Sequence, residues 1–237
     1  MTDPATIVIE RASCTFNYAS GRAVQAIGGV SLTIGEGEFV CLLGRSGHGK
    51  STLLRAIAGL QPLTSGRILA NGVPVSGPAA DRGMVFQEDT VFPWLRVADN
   101  VAFGLAAQGR PAAERSAAVA QWLAAVGLAE FAQSWPRELS GGMRKRVAIA
   151  TVFASGAPIL LMDEPFGALD YVTRLDLQRL LLDLWARTRR TIVFVTHDIE
   201  EALVLAQRIL VVAHGRLVDD LAVDLPSPRS AEVRASP

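Results

Sequence analysis

Three stretches of this 237-residue chain carry side chains suited to phosphate chemistry. Gly44-Arg45-Ser46-Gly47-His48-Gly49-Lys50-Ser51 fits the spacing G-x-x-x-x-G-K-[ST]. Its glycines let successive backbone N–H groups turn inward on anionic oxygens. Lys50 offers a point charge to the outer phosphates of a nucleotide, and the Ser51 hydroxyl offers an oxygen to Mg²⁺. Further along, the apolar run 159–162 leads into Asp163-Glu164. An aspartate at the end of a buried strand suits a water-mediated hold on Mg²⁺. The glutamate beside it suits orienting and deprotonating an attacking water. His197 follows another strand-like stretch, 191–196, whose interior 192–195 is apolar. Together these groups point to hydrolysis of a nucleoside triphosphate.

Such groups need a frame that brings them to one edge. Residues 39–43 form a continuous apolar run, as expected of a strand buried on both faces. The glycine loop 44–49 follows it, and leucine, isoleucine and alanine at helical spacing follow the loop. Strands are expected at 6–10, 30–34, 83–87, 159–162, 191–196 and 208–213, with a hairpin over 67–75 around Asn71-Gly72. Helices are expected at 111–131, 143–155, 174–187 and 200–206. The alternation predicts an α/β fold with a parallel sheet covered on both faces. Ligands bind beyond the C-terminal strand ends of such sheets, so Lys50, the acidic pair and His197 should converge there.

Composition limits the alternatives. Half of the residues are apolar and 19% are charged, which excludes global disorder. Lys and Arg total 23, as do Asp and Glu, so a wholly basic nucleic-acid binder is not expected. Mean hydropathy is +0.29, a hint of a large apolar contact with a partner. Cys14 and Cys41 belong to no metal-ligand spacing and are expected as reduced, buried thiols. The opening residues carry no basic region followed by an apolar one, so no signal peptide is expected. No run approaches the ~18 apolar residues of a membrane span.

One further motif gives these pieces a common meaning. Leu139-Ser140-Gly141-Gly142-Met143 stands 20 residues before Asp163. It resembles the LSGGQ signature of the ATP-binding cassette (ABC) ATPases. Phe86-Gln87 resembles that family's Q-loop, Gly167-Ala168-Leu169-Asp170 its D-loop, and Thr196-His197-Asp198 its switch histidine. The resemblance spans roughly residues 6–220. Finer details, including Phe86-Gln87-Glu88-Asp89 followed by Phe92-Pro93-Trp94-Leu95, are similar to ATPase subunits of nitrate/sulfonate/taurine-type importers.

The resemblance implies a P-loop NTPase (RecA-like) fold with a mainly parallel core. It also implies an N-terminal antiparallel β subdomain and an α-helical subdomain inserted at about 91–155. One domain would cover 1–225, followed by a loose tail, 226–237. ATP and Mg²⁺ are the implied cofactors. Residues 44–52, Gly44 to Lys50 with Ser51 and Thr52, would hold the phosphates. Phe16, with Tyr18 as a neighbouring alternative, would stack on adenine. Ser51, Gln87 and Asp163 would surround the cation, and Lys50, Gln87, Glu164 and His197 would serve catalysis. Ser140, Gly141 and Gly142 would act on the ATP of a second chain in a head-to-tail dimer, with Asp170 packing across it. Residues 87–94 would receive an integral membrane permease, and a separate solute-binding protein would complete the system at the cytoplasmic face of the cell membrane. The alternative is a soluble ATPase of the same type acting on nucleic acid or ribosomes; the chain shows none of the large insertions, zinc motifs or coiled coils common in those relatives. The chain departs from the family pattern in three places. Met143 stands for Gln, His48 for a small residue, and Thr151-Val152-Phe153 for Arg-Ala-Leu.

Overall fold

The computed structural model describes residues 5–17, 19, 21–88 and 90–225. Tyr18, Asp89 and the tail 226–237 lie outside the described residues. The first half of the chain runs β1 (Ala5–Asn17), β2 (Ala23–Gly35), β3 (Phe39–Leu43), α1 (Lys50–Ile57), β4 (Ser65–Ala70), β5 (Val73–Pro74), β6 (Arg82–Val85) and α2 (Val97–Ala107). The second half runs α3 (Ala112–Ala125), α4 (Gly141–Ala154), β7 (Ile159–Asp163), α5 (Tyr171–Thr188), β8 (Thr191–Thr196), α6 (Ile199–Leu205), β9 (Arg208–Ala213) and β10 (Arg216–Ala222).

Two sheets form. One is antiparallel, in the order β2-β1-β4-β5. The other has the order β10-β9-β3-β8-β7-β6; it is parallel except for β10, which returns antiparallel beside β9. The turn joining β4 and β5 places Asn71 and Gly72 at φ 50° and 77°. That left-handed pair is what a two-residue hairpin needs and explains the Asn-Gly choice.

The central strands are buried on both faces, and alternate residues serve different cores. On β3, Phe39 and Cys41 join a core beneath the helices α2 to α5, whereas Val40 and Leu42 face the antiparallel sheet and α1. On β7 the split is Leu160 and Met162 against Ile159 and Leu161; on β8 it is Ile192 and Phe194 against Val193 and Val195. Each fully buried side chain of this size contributes about 1.5–3 kcal/mol. Cys14 and Cys41 are buried free thiols, one in each core.

Several element bounds differ from expectation. The strand expected at 83–87 ends at Val85, leaving Phe86 and Gln87 in a loop. The helix expected over 111–131 stops at Ala125, where Gly127 turns left-handed at φ 72°, and Phe131 belongs to a separate 3₁₀ turn. Helix α4 starts at Gly141 rather than 143, because the Ser140 hydroxyl caps it by accepting from Met143 N–H at 3.3 Å. Helix α5 starts at Tyr171 rather than 174, because Asp170 accepts from Thr173 N–H at 3.0 Å. Helix α2 and strand β10 were not expected. Within α2, buried Asn100 accepts from Phe92 N–H and donates to the carbonyls of Phe92, Leu95 and Arg96, closing the turn 92–96 on the helix. Among the described residues no helix is long and apolar enough to cross a membrane.

Candidate functional site

The register of the central sheet sets the site. Leu43 pairs with Thr196 across β3 and β8, and Val195 pairs with Asp163 across β8 and β7. The three strands therefore end level, and the loop after β3, the acidic pair and His197 emerge side by side.

The phosphate loop is fixed from behind. Gly49 precedes α1 at φ 94°, and a Cβ there would lie 2.1 Å from the Ala26 carbonyl, so only glycine fits. The turn between β9 and β10 ties in as well. Gly215 N–H donates to the His48 carbonyl at 3.1 Å, and the His48 and His214 rings stand 4.6 Å apart at 34°. His48 thus uses its bulk as a packing contact with His214, a residue for which no role was expected.

Inside the loop, Lys50 is only 3% exposed. Its Nζ donates to the carbonyls of Gly44 at 2.7 Å and Arg45 at 3.0 Å, and lies 3.9 Å from Glu164 Oε1. Burial pushes the ammonium below the usual lysine pKa, and the charges of Glu164 and Asp163 oppose that shift. The Ser51 hydroxyl donates to Asp163 Oδ1 at 2.7 Å. Arg55, one helical turn further on, reaches Asp163 Oδ2 at 3.4 Å. A hydroxyl and a carboxylate side by side are hard oxygen donors, and they stand next to the phosphate cradle. Mg²⁺ is held in this way, by one or two protein oxygens plus those of the substrate, so the donor set fits it. When bound, the ion neutralises charge on the phosphate oxygens.

Glu164 adopts φ 42°, which is uncommon for a non-glycine residue. Its N–H is held by the Val195 carbonyl at 3.1 Å, and its own carbonyl accepts from Gly167 N–H at 3.2 Å. This turn aims the carboxylate at the neighbouring strand end, where Oε2 meets His197 Nδ1 at 2.9 Å. Glu164 thus stands between an imidazole and a lysine, with one carboxylate oxygen toward each.

Other expected residues take separate places. The Gln87 side chain is exposed, while its carbonyl accepts from Lys145 Nζ at 2.6 Å. The same ammonium also serves the carbonyls of Phe86 and Glu88, each at 3.2 Å. Phe16 is half-buried near the end of β1 and packs partly against the core under the antiparallel sheet. Ser140, Gly141 and Gly142 form the start of α4 beside the D-loop, where a Cβ on Gly142 would come 2.5 Å from Thr173 Cγ2. Hydrogen bonds from Thr173, first its side chain and then its backbone, hold the Asp170 carboxyl below its usual pKa.

Lys145, Arg55 and Arg174 were not singled out in the sequence. Lys145 sits in the basic run Arg144-Lys145-Arg146, and composition does not reveal which member turns inward. The departure at 151–153 is filled by packing. Phe153 is fully buried against Trp122 at 5.3 Å, and its carbonyl accepts from Arg190 at 2.8 Å. Arg190, whose pKa burial pushes below its usual value, also lies over the Phe153 ring at 5.3 Å.

Comparison with known proteins agrees with this geometry. The family model described as "ABC transporter" matches residues 27–167. The taurine import ATP-binding protein TauB of Rhizobium johnstonii is 50% identical over 218 residues, 91% of this chain and 83% of that protein. The nitrate import ATP-binding protein NrtD of Synechocystis is 50% identical over 206 residues, 86% of this chain and 77% of that protein. Among solved structures, the dimeric post-hydrolysis state of the ATP-binding cassette MJ0796, bound to ADP and Pi, superposes with a TM-score of 0.82 at 31% identity, covering 93% of this chain and all of that one. The family model covers more than half of this chain, and these import ATP-binding proteins are 50% identical to it over most of its length, so this chain belongs to the ABC transporter family, as an ATPase.

Proposed function

We propose that this chain energises import of a small solute through a separate membrane permease, and that the solute belongs to the nitrate, sulfonate, taurine or bicarbonate class. The observation that carries the reading is the 50% identity to nitrate and taurine import ATP-binding proteins across most of the chain. In this reading two copies bind two ATP·Mg²⁺ head to tail. Lys50 and the loop amides hold the phosphates, and Ser51 and Asp163, with Gln87, hold the cation. Phe16 stacks on adenine, Ser140 to Gly142 cover the partner copy's ATP, and Asp170 packs across the interface. Glu164 takes the proton of the attacking water, and His197 keeps its carboxylate oriented and contacts the γ-phosphate. ATP, bound more tightly by the closed pair than by the open one, supplies the differential affinity that a conformational switch requires.

The permease would dock on residues 87–94, at the cytoplasmic face of the membrane, and a separate solute-binding protein would deliver the cargo. An exposed aromatic patch supports this docking. Trp94 is 70% and Phe103 48% exposed, and both rings pack against Phe92 in tilted pairs, at 5.5 and 4.6 Å. Solitary surfaces seldom expose such clusters without a partner.

The test is affinity capture of the tagged chain from gently solubilised native membranes, with ATPase assayed on the eluate. A stoichiometric polytopic membrane protein, with turnover lost in Lys50→Ala, is the expected result. An active dimer with no membrane partner would overturn the import reading and favour the soluble alternative.

A further inference from the structure

Behind His197 lies a polar cluster that hydrolysis as described above does not use. Arg174, in the first turn of α5, reaches in two directions. Its Nη2 donates to the carbonyl of Leu169 in the D-loop at 3.2 Å, and its Nη1 meets Asp198 Oδ2 at 3.4 Å. Asp198 is the residue after His197 and the cap of α6, where its Oδ1 accepts from the N–H groups of Glu200 and Glu201 at 2.9 and 3.2 Å. Its own N–H is held by Thr196 Oγ1 at 3.0 Å. His197 is therefore strung between Thr196, in the last pair of β8, and an aspartate gripped by Arg174.

The arrangement has the form of a link. One guanidinium joins the D-loop, expected to pack on the second copy, to the segment that carries His197. Glu164, Arg174, His197, Asp198 and Glu201 border a cavity of about 40 Å³, so the link also abuts the catalytic base. Arg174 Nε is buried and has no hydrogen-bond partner among the described residues. A buried donor left over is costly in a purely static contact. Movement of the D-loop would let that donor find an acceptor.

We propose that Arg174 is a positioning residue that couples D-loop engagement by the second copy to the placement of His197 against Glu164. Each ATP site then reaches full activity only when the other copy is seated. The planar fork of arginine suits this role, since it serves a carbonyl and a carboxylate at once, whereas the point charge of lysine does not. The proposal rests on the head-to-tail, two-site reading given above.

The experiment compares Arg174→Met, Arg174→Lys, Asp198→Asn and the Arg174→Met/Asp198→Asn pair in the full-length chain. It measures kcat, the Hill coefficient for ATP, and the affinity for a non-hydrolysable ATP analogue. Asn caps a helix as well as Asp, so Asp198→Asn removes the charge and keeps α6. Expected is a loss of about tenfold in kcat for Arg174→Met, the scale of a small misplacement near the chemistry. The Hill coefficient should fall from near its two-site limit of about 2 toward 1, and analogue affinity should stay within about threefold. Asp198→Asn should do the same, the pair should be no worse than either, and Arg174→Lys should restore part of kcat but little cooperativity. Unchanged kcat and Hill coefficient in either single variant, or additive losses in the pair, would overturn the proposal. If Arg174→Met does not fold, Asp198→Asn reads the same link. A wild-type chain that hydrolyses ATP without cooperativity would instead defeat the two-site reading, and this proposal with it.

Discussion

His197 Nδ1 lies 2.9 Å from Glu164 Oε2, although the two residues stand 33 positions apart and close different strands. The contact is possible because β7 and β8 end level and Glu164 turns back at φ 42°. A carboxylate held this way has one oxygen on the imidazole and the other 3.9 Å from the Lys50 ammonium. This gives it a fixed direction before substrate arrives. On the proposal that Glu164 takes the proton of the attacking water, replacing it by Gln keeps the shape and removes the proton acceptor. Turnover should fall by roughly 10²–10⁴, the range for losing a general base. ATP binding should persist, and the variant should run as a dimer with ATP on size exclusion. A variant that stays monomeric with ATP would contradict the closing cycle.

Lys145 holds three successive carbonyls of the loop 86–88 from inside α4. It is 4% exposed, and its loss takes this donor from three partly buried backbone carbonyls. Lys145→Met should cost about 2–3 kcal/mol, the range for charged hydrogen bonds and orphaned partners. Hydrogen exchange should rise selectively over residues 86–88. Equal protection in variant and parent would show that the loop is held by something else.

The ring pair His48–His214 makes a different prediction. His48→Ser removes a contact worth about 1 kcal/mol, on the scale of aromatic pairs, while the backbone bond from Gly215 N–H remains. The melting temperature should drop by about 2–4 °C. ATP turnover should stay within about twofold. A larger loss of turnover with no loss of stability would assign the imidazole to the nucleotide instead.

Glu201 is 5% exposed in α6 and takes a hydrogen bond from Gln178 at 3.1 Å. Burial raises its pKa above the ordinary 4.5, outweighing the opposing help of Thr196 and Gln178. The folded chain then binds this proton more tightly than the unfolded one. The group's contribution to folding is fullest below about pH 4.5 and is lost as pH rises through the folded pKa. At neutral pH the charged form is a net cost, which Glu201→Gln removes. The variant should melt a few degrees above the parent at pH 7.5, and the gap should narrow toward pH 5. A gap that widens on acidification would mean that the carboxylate is stabilising as an ion.

Trp94 gives a prediction about partners. Trp94→Glu changes an exposed side chain, so the isolated chain should keep its ATPase within about twofold. Recovery of a membrane partner in affinity capture should fall at least about tenfold, as expected for loss of an aromatic anchor. Unchanged recovery would place the docking surface elsewhere.

Much of this was legible in the sequence because the signals were local. Residues 39–43 read as a doubly buried strand from a continuous apolar run, 159–162 and 191–196 read as strands from their apolar content, and the glycine loop read from its own spacing. Bounds set by a single cap were harder. Ser140 and Asp170 extend α4 and α5 backwards by two and three residues, through side-chain bonds that periodicity does not register. Helix α2 escaped notice because its one buried polar anchor, Asn100, bonds mainly to a turn that precedes it. The inward course of Lys145 and Arg174 was invisible for another reason. Each meets backbone carbonyls, and no residue type marks a carbonyl in advance.

The division of the central strands between two cores has a consequence for how this chain finds its pairing. Where one face of a sheet is wet, a one-residue slip is opposed by polarity, because it drives every apolar group outward. Here a slip would exchange apolar for apolar, so polarity offers little opposition. Size takes over that task. The rings of Phe39, Phe166 and Phe194 all lie on the helix-facing side, while Val40, Leu42, Val193 and Val195 fill the other. A slipped strand would press rings into a space cut for branched aliphatics and leave voids where the rings belong. It would also carry Asp163 or the phosphate loop about 3.3 Å along the sheet. Steric volume in two hidden compartments is thus the ruler that measures out the distance between the lysine and the acids.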